Sequence, residues 1–297
     1  MYRIAGHTMG TPEYTLIRAL ELFKAIGLDG AEIVVQDGYQ SGIPLKAGKQ
    51  ELTAIREAAH DQGLEIVCLT PYFCRFNDPD PQIREQETEG IKRVLDYAVY
   101  LGARYIRIYG GNAQCPDDMQ GDRRRYMIES MQTLGEAAQQ AGKDLVIENH
   151  FNTMTVSAAD TIRLIREIGH PCVNILYDQA NLDFMGKESY GEAIGLQGEQ
   201  IHYVHVKDHI YKKHTAECTA SKDVSHQTEE ERNVTTRIVG EGILPWPDIL
   251  QALRSAGYEG WLSLEYERRW HAMDIPDASI GMKQSARYLR SYIQNLK

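Results

Sequence analysis

The chain has 297 residues, a formal net charge of -10, 42% hydrophobic and 25% charged content, a composition that can bury a full core. The acidic balance argues against a nucleic-acid partner, which would need a basic stripe: Arg123-Arg124-Arg125 sits beside Asp117, Asp118 and Asp122 and reads as a mixed solvated face. No apolar run approaches membrane-spanning length, and Met1-Tyr2-Arg3-Ile4-Ala5-Gly6 lacks a charged leader with an apolar run behind it, so neither a membrane nor a signal peptide is expected. The 5 cysteines are odd in number and form no CxxC pair, which points to a reducing, cytoplasmic setting without structural zinc.

Tyr2 to His7 reads as a first strand, and Thr11-Pro12-Glu13 opens an amphipathic helix with Leu16, Leu20, Phe23 and Ile26 at helical spacing. Ala31 to Val35 is a second strand carrying Glu32, followed by a helix from Gln50 to Gln62. Leu64 to Thr70 is the third strand; a helix from about Gln82 to Leu101 stops at Gly102. Ala103 to Tyr109 is the fourth strand, and a helix from about Arg124 to Ala141 leads to a fifth strand ending at Glu148. Ser157 to Asp160 starts the next helix, and the sixth strand ends at Asp178. After a helix around Tyr190 to Leu196, the seventh strand ends near Lys207. The segment from about His209 to Arg237 is polar and pattern-poor, a surface insertion that could serve as a lid or partner surface. A helix from Pro247 to Ala256, an eighth strand ending at Glu265 and a helix from Ser279 to Leu296 close the chain.

Eight strand-then-helix units without a composition break predict an α/β fold, a single (β/α)8 TIM barrel over residues 1–297 with a long loop after strand seven. The rival doubly wound sheet lacks support, because the first turn, Gly6-His7-Thr8-Met9-Gly10, is not a dinucleotide fingerprint.

Four predicted strands end in groups that bind hard or borderline cations: Glu148, Asp178, His205 and Glu265. Singly, an acidic residue at a strand end is ordinarily a helix cap or an ion pair; four at matching ends of a barrel would reach one mouth. One nitrogen and several oxygens suit Mn²⁺, or Mg²⁺, Co²⁺ or Zn²⁺ in an open site, better than a closed zinc site. Such an ion would hold two neighbouring oxygens of an α-hydroxy ketone, make the carbon between them acidic and stabilise the enediolate. Glu148 and Glu265 are then the natural acid/base pair, with Glu267 as a rival ligand by parity with Glu265.

Ile147-Glu148-Asn149-His150, Tyr177-Asp178-Gln179-Ala180-Asn181-Leu182, Val204-His205-Val206-Lys207-Asp208, Gly240-Glu241-Gly242 and Leu264-Glu265-Tyr266-Glu267 resemble the sugar phosphate isomerase/epimerase group of the xylose isomerase-like barrels over nearly the whole chain. The resemblance implies Glu148, Asp178, His205 and Glu265 as metal ligands, with Glu148 and Glu265 doubling as acid and base. It also implies a divalent-metal-dependent sugar isomerase or 3-epimerase. The chain departs from ketose 3-epimerases in two places: Asn181 stands where they usually carry histidine, and His209-Ile210-Tyr211-Lys212-Lys213 where they carry an arginine. It lacks the further histidines and basic face of endonuclease IV.

The same site could instead eliminate, with His150 or Glu265 as base. That alternative covers a dehydratase of a keto-inositol, or a lyase cleaving C-glycosides of a 3-keto sugar with a partner subunit. A non-enzymatic sugar-binding barrel fits less well, because all four ligand positions are filled. His7, Glu32, Tyr109, Asn181, Lys207 and Arg268 are candidate substrate contacts, and Trp246 and Trp270 are either sugar-stacking or packing aromatics. The expected ligand is a sugar or sugar derivative, in a homo-oligomer with a second subunit left open.

Overall fold

The computed structural model describes residues 2–113, 116–212 and 233–296. The strands are β1 (Arg3–His7), β2 (Gly30–Val35), β3 (Glu65–Pro71), β4 (Tyr105–Tyr109), β5 (Asp144–Glu148), β6 (Val173–Asp178), β7 (Ile201–Val206), β8 (Asp208–Tyr211), β9 (Val234–Arg237) and β10 (Trp261–Leu264). The helices are α1 (Leu16–Ala25), α2 (Lys49–Asp61), α3 (Pro81–Leu101), α4 (Gly121–Ala141), α5 (Ala158–Ile168), α6 (Gln179–Phe184), α7 (Tyr190–Gln197), α8 (Trp246–Ser255), α9 (Arg268–His271) and α10 (Ala278–Ile293). Eight parallel strands close into a barrel in the order β1-β10-β7-β6-β5-β4-β3-β2. This is the TIM barrel that the alternation of strand and helix predicts.

The strands are near-continuous apolar runs because both of their faces are covered. Outward residues such as Ile4, Ile33, Ile106, Leu145, Ile147, Ile175 and Val204 pack under the helices. Inward ones, Ala5, Val67, Tyr105, Val146, Leu176, Tyr203 and Trp261, fill the barrel interior. Because inward positions recur every second residue, this floor fixes what stands above it. Glu148 follows Val146 by two, Asp178 follows Leu176, and His205 follows Tyr203.

Local capping explains most helix ends. Asp80 accepts from Gln82 N ahead of Pro81, and Gly102 ends α3 in the left-handed region at φ 80°. Ser157 caps α5, and Ser189 forms a capping box with Glu192 at the start of α7. Helix α1 begins at Leu16, later than Thr11-Pro12-Glu13 suggests. Thr11 is spent in a turn, its Oγ1 donating to Thr8 O, and Thr15 is the residue that caps the helix by accepting from Arg18 N.

The segment after strand seven also departs from the sequence reading. β7 stops at Val206, and the chain turns at Lys207 into a separate two-stranded antiparallel sheet of β8 and β9, paired from Asp208↔Arg237 to Tyr211↔Val234. The ends of the supposed pattern-poor insertion are therefore ordered strands. The expected lid or partner surface falls largely on residues 213–232, outside the described residues. Asp208 staples this sheet to the next loop: its carboxylate accepts from His209 N, Gly240 N, Gly242 N and Leu244 N at 2.9 to 3.1 Å. Gly242 is required there, since a Cβ would stand 2.0 Å from Asp208 Oδ1. Among the described residues, Cys68, Cys74 and Cys172 form no disulfide, and no helix is long and apolar enough to cross a membrane.

Candidate metal centre

The barrel order places β10, β7, β6 and β5 side by side, so Glu265, His205, Asp178 and Glu148 come from four successive staves. Their ligand atoms all lie within 4.8 Å of one another, and all four residues are buried. Glu265 sits one residue beyond β10, but its N–H still donates to Val206 O at 3.1 Å, continuing the ladder. His205 Nδ1 lies 3.4 Å from Glu148 Oε1 and 3.3 Å from Glu265 Oε1, and has no hydrogen-bond partner among the described residues. Glu267, the rival ligand, stands outside this cluster and lies 3.5 Å from Lys207 Nζ.

Two full cations balance part of the acid. Arg107, inward on β4, donates from Nε to Glu148 Oε2 at 2.6 Å and pairs with it again through Nη2. Lys207 Nζ lies 2.7 Å from Glu265 Oε2 and 3.0 Å from Asp178 Oδ2. Inside the barrel, four buried carboxylates (Glu32, Glu148, Asp178 and Glu265) thus face two permanent cations, Arg107 and Lys207. With His205 neutral and all four carboxylates ionised, as ligation would require, the remaining deficit equals the charge of one divalent ion. Together with the orphaned His205 Nδ1 and a donor set of one imidazole and three carboxylates, this fits a divalent cation of the oxygen-preferring kind.

The same crowding shifts the titrations. Burial raises the Asp178 carboxyl to about 7; Lys207 works against this, and the charges of Glu265 and Glu148 reinforce it. Burial would raise Glu148 as well, but the Arg107 charge overcomes it and holds Glu148 down to about 2. Burial would lower His205, yet Glu265 and Glu32 push it well above its usual value. Glu265 is held well below the carboxylate range, because Lys207 and His205 outweigh its burial.

Asn181 and Asn149 tie the staves together. Asp178 caps α6 by accepting from Asn181 N at 3.1 Å, and Asn181 Nδ2 reaches Glu148 Oε1 at 3.1 Å and Asp178 Oδ2 at 3.2 Å. Asn149 bridges to β6 through both backbone groups of Asp178, at 2.6 and 3.1 Å. His150 Nδ1 lies 2.8 Å from Phe151 O, so Nδ1 carries the proton and Nε2 keeps its lone pair; burial lowers its pKa and keeps the ring neutral. Its ring meets Tyr109 edge-on at 5.1 Å, and the Arg107 guanidinium lies over Tyr109 at 3.3 Å.

The other candidates stand around the four candidate ligands at varying distance. His7 and Glu32 are fully buried beside His205, with Glu32 oxygens 3.1 Å from His205 Nε2. Arg268 is engaged by Glu13 at 2.9 Å and Ile275 O at 2.8 Å. Trp246 is fully buried and donates from Nε1 to Lys207 O at 3.1 Å, whereas Trp270 is half exposed. Sequence reasoning missed Arg107, although its parity with Tyr105 and Tyr109 puts it inside the barrel. It also missed Arg269, which donates to Gln36 and lies over the rings of Tyr39, Tyr72 and Trp270.

A sequence profile of the xylose isomerase-like TIM barrel family matches residues 20–292. An inosose dehydratase of Geobacillus thermodenitrificans is 25% identical over 72% of this chain and 73% of its own. A D-psicose 3-epimerase of Ruminiclostridium cellulolyticum is 23% identical over 83% of this chain and 76% of its own. A xylose isomerase-like TIM barrel protein from Mycobacterium smegmatis, solved in complex with magnesium, superposes with a TM-score of 0.76 at 17% identity, covering 100% of this chain and 98% of that one.

Proposed function

Because the chain belongs to the xylose isomerase-like TIM barrel family, we propose that it is a divalent-metal-dependent sugar isomerase or 3-epimerase, moving a proton next to a ketose carbonyl through an enediolate. The observation that carries this is the convergence of Glu148, Asp178, His205 and Glu265 within 4.8 Å, with the two glutamates on the outer staves. The relatives named above, a D-psicose 3-epimerase and an inosose dehydratase, support a small-molecule sugar or sugar derivative as substrate. Mn²⁺ is the proposed ion, held by the same four residues.

A bound divalent ion supplies the positive charge that polarises the carbonyl oxygen and makes the neighbouring C–H acidic. The protein's own groups do the rest. One glutamate, ionised, takes the proton from carbon, and the other, which enters the cycle protonated, delivers its own proton to the opposite face, so the pair ends with its proton on the first. The Asn181 amide holds Glu148 Oε1 in place, and Arg107 holds Oε2. Lys207, beside Glu265 and Asp178, would donate a hydrogen bond to a substrate oxygen. His150 offers a neutral Nε2 as a further base.

One observation favours a second reading. Arg107 clamps Glu148 from within the barrel and holds it ionised, which suits a fixed ligand better than a group that must pick up and release a proton. Elimination needs a single base. Glu265 or His150 would take the proton next to the keto group, the new double bond would form, and a leaving group at the β-carbon would depart with a proton from Lys207. This covers a dehydratase of a keto-inositol or a lyase of a 3-keto sugar C-glycoside.

The deciding experiment incubates the protein and Mn²⁺ in D₂O with free ketoses and with a keto-inositol, followed by NMR. Deuterium at C3 with a new epimer supports epimerisation, and deuterium at C1 supports aldose–ketose isomerisation. Loss of water from the keto-inositol without ketose exchange transfers the assignment to elimination. Metal-loaded protein inert to all of them removes both readings for these substrates.

A further inference from the structure

Beneath the four ligands lies a second group of buried side chains, His7, Glu32 and His205, whose ligand atoms also fall within 4.8 Å of one another. It shares His205 with the first cluster. Either it holds an ion of its own, or it acts on the imidazole that the first cluster needs. The hydrogen bonds decide between these.

His7 Nδ1 accepts from Met9 N at 3.0 Å, so a neutral His7 carries its proton on Nε2. Burial keeps His7 from charging. That Nε2 lies 3.4 Å from Glu32 Oε1 and is turned toward a carboxylate, with no lone pair to offer an ion. His205 is in the same position on the other side: its Nε2 lies 3.1 Å from both oxygens of Glu32, and a carboxylate only accepts. Thr70 Oγ1 also donates to Glu32 Oε1. His205 Nε2 and Thr70 Oγ1 therefore donate to Glu32, and His7 Nε2, without a hydrogen-bond partner among the described residues, carries a proton, so neither imidazole nitrogen facing Glu32 offers a lone pair to a second cation.

The backbone is arranged for this contact. The pairing of β2 with β3 shifts register between Ala31 and Glu32, an irregularity of the kind that re-aims a side chain. It occurs at the one residue of β2 that reaches across to β7. Glu32, His7, Thr70 and His205 are all buried to within 1% exposure. A carboxylate held that far from water needs a purpose that packing does not supply.

We propose that Glu32 is the positioning residue of His205. It holds the proton on Nε2, commits Nδ1 to the divalent ion shared with Glu148, Asp178 and Glu265, and strengthens that nitrogen as a donor through its own negative charge. A carboxylate behind a metal-bound histidine acts in this way in general. Thr70, donating to Oε1, in turn orients the carboxylate. The inference rests on the metal-dependent reading above, and its test reads the ion and the ring and does not read turnover.

The test uses Zn²⁺, which is diamagnetic, and protein labelled with ¹⁵N in histidine. In the loaded wild-type protein, the His205 ring, assigned by its loss in His205→Asn, should show a metal-bound Nδ1 and a protonated Nε2. Glu32→Gln keeps the shape and removes the charge; its Zn²⁺ affinity, measured by competition with a chelator, should fall roughly 10- to 100-fold. Glu32→Asp should recover part of the loss, and Thr70→Val, which leaves the carboxylate, should change affinity by less than about threefold. An ion on Nε2 in the wild-type spectrum overturns the proposal, and so does wild-type affinity in folded Glu32→Gln. If Glu32→Gln does not fold, the wild-type ring spectrum alone decides. Wild-type protein that binds no Zn²⁺ overturns the metal-dependent reading together with this one, whereas wild-type affinity in Glu32→Gln overturns this one alone.

Discussion

Arg107 and Glu148 form an ion pair with both partners inside the barrel, 2% and 0% exposed. Replacing Glu148 by Gln leaves the guanidinium without a counter-charge in a place water does not reach. Breaking a buried pair from one side costs about 3–5 kcal/mol. The glutamine oxygen can still accept from Arg107 Nε, so the lower end, about 3 kcal/mol, is expected. At about 2 °C per kcal/mol for a chain of this length, the melting temperature of chelator-treated protein should drop by about 6 °C. Arg107→Met should cost a similar amount by stranding the carboxylate. The double variant should lose less than the sum of the two by about 2–3 kcal/mol, because it removes both charges together. Denaturant titrations of the four proteins close this cycle. Additive losses, or an Glu148→Gln protein as stable as wild type, would refute the argument that these charges compensate each other. The same variants separate the two functional readings. In Arg107→Met, Glu148 is released from its depressed pKa. If Glu148 carries the proton in turnover, the acid limb of kcat moves to higher pH; if it is only a ligand, the limb stays.

Three further outcomes follow from the site. Asp178 is raised to about 7 and His205 stands well above its usual value. An entering cation must therefore displace protons, and Mn²⁺ affinity of the chelator-treated protein should rise as pH goes from 6 to 8; calorimetry showing a flat affinity over that range would count against the assignment. Lys207→Met removes an ammonium that lies 2.7 Å from Glu265 and 3.0 Å from Asp178. It should tighten Mn²⁺ binding by roughly tenfold or more through lost repulsion while lowering turnover, and weaker binding would show that Lys207 chiefly holds the ligands in place. Asp208→Ala frees four backbone N–H groups, of His209, Gly240, Gly242 and Leu244. It should cost about 3 kcal/mol and expose the 238–244 loop to limited proteolysis, whereas a protease-resistant variant of unchanged stability would show that the loop is held elsewhere.

The barrel was legible because short apolar runs alternate with glycine-stopped helices, and the four candidate ligands because each stands at or next to the end of such a run. Their strand-end positions put all four at one mouth, and parity put Glu148 and His205 each on a face with its neighbours two residues away. Arg107 was hidden for the opposite reason: attention fell on strand ends, and it stands two residues before one. Its signal was a charge between Ile106 and Ile108 in a strand otherwise apolar on both faces. The contact of Glu32 with His205 spans 173 residues, and no local pattern announces it. Helix α6 is only six residues long and reads as a continuation of the sixth-strand motif. Strands β8 and β9 lack a visible partner in sequence, because a long segment separates them.

The small sheet of β8 and β9 begins one residue after Lys207, yet the interior is insulated from what lies beyond it. Lys212 N donates to Asn233 O at 2.7 Å, so the chain leaves and re-enters the fold at neighbouring points. Asp208 and the Trp246 indole then anchor that doorway on the barrel side. With β8 and β9 paired at that point, a change of chain length between 212 and 233 is absorbed at the outer ends of the two strands and not at His205. The inner charges therefore keep their places whatever length of chain joins β8 to β9.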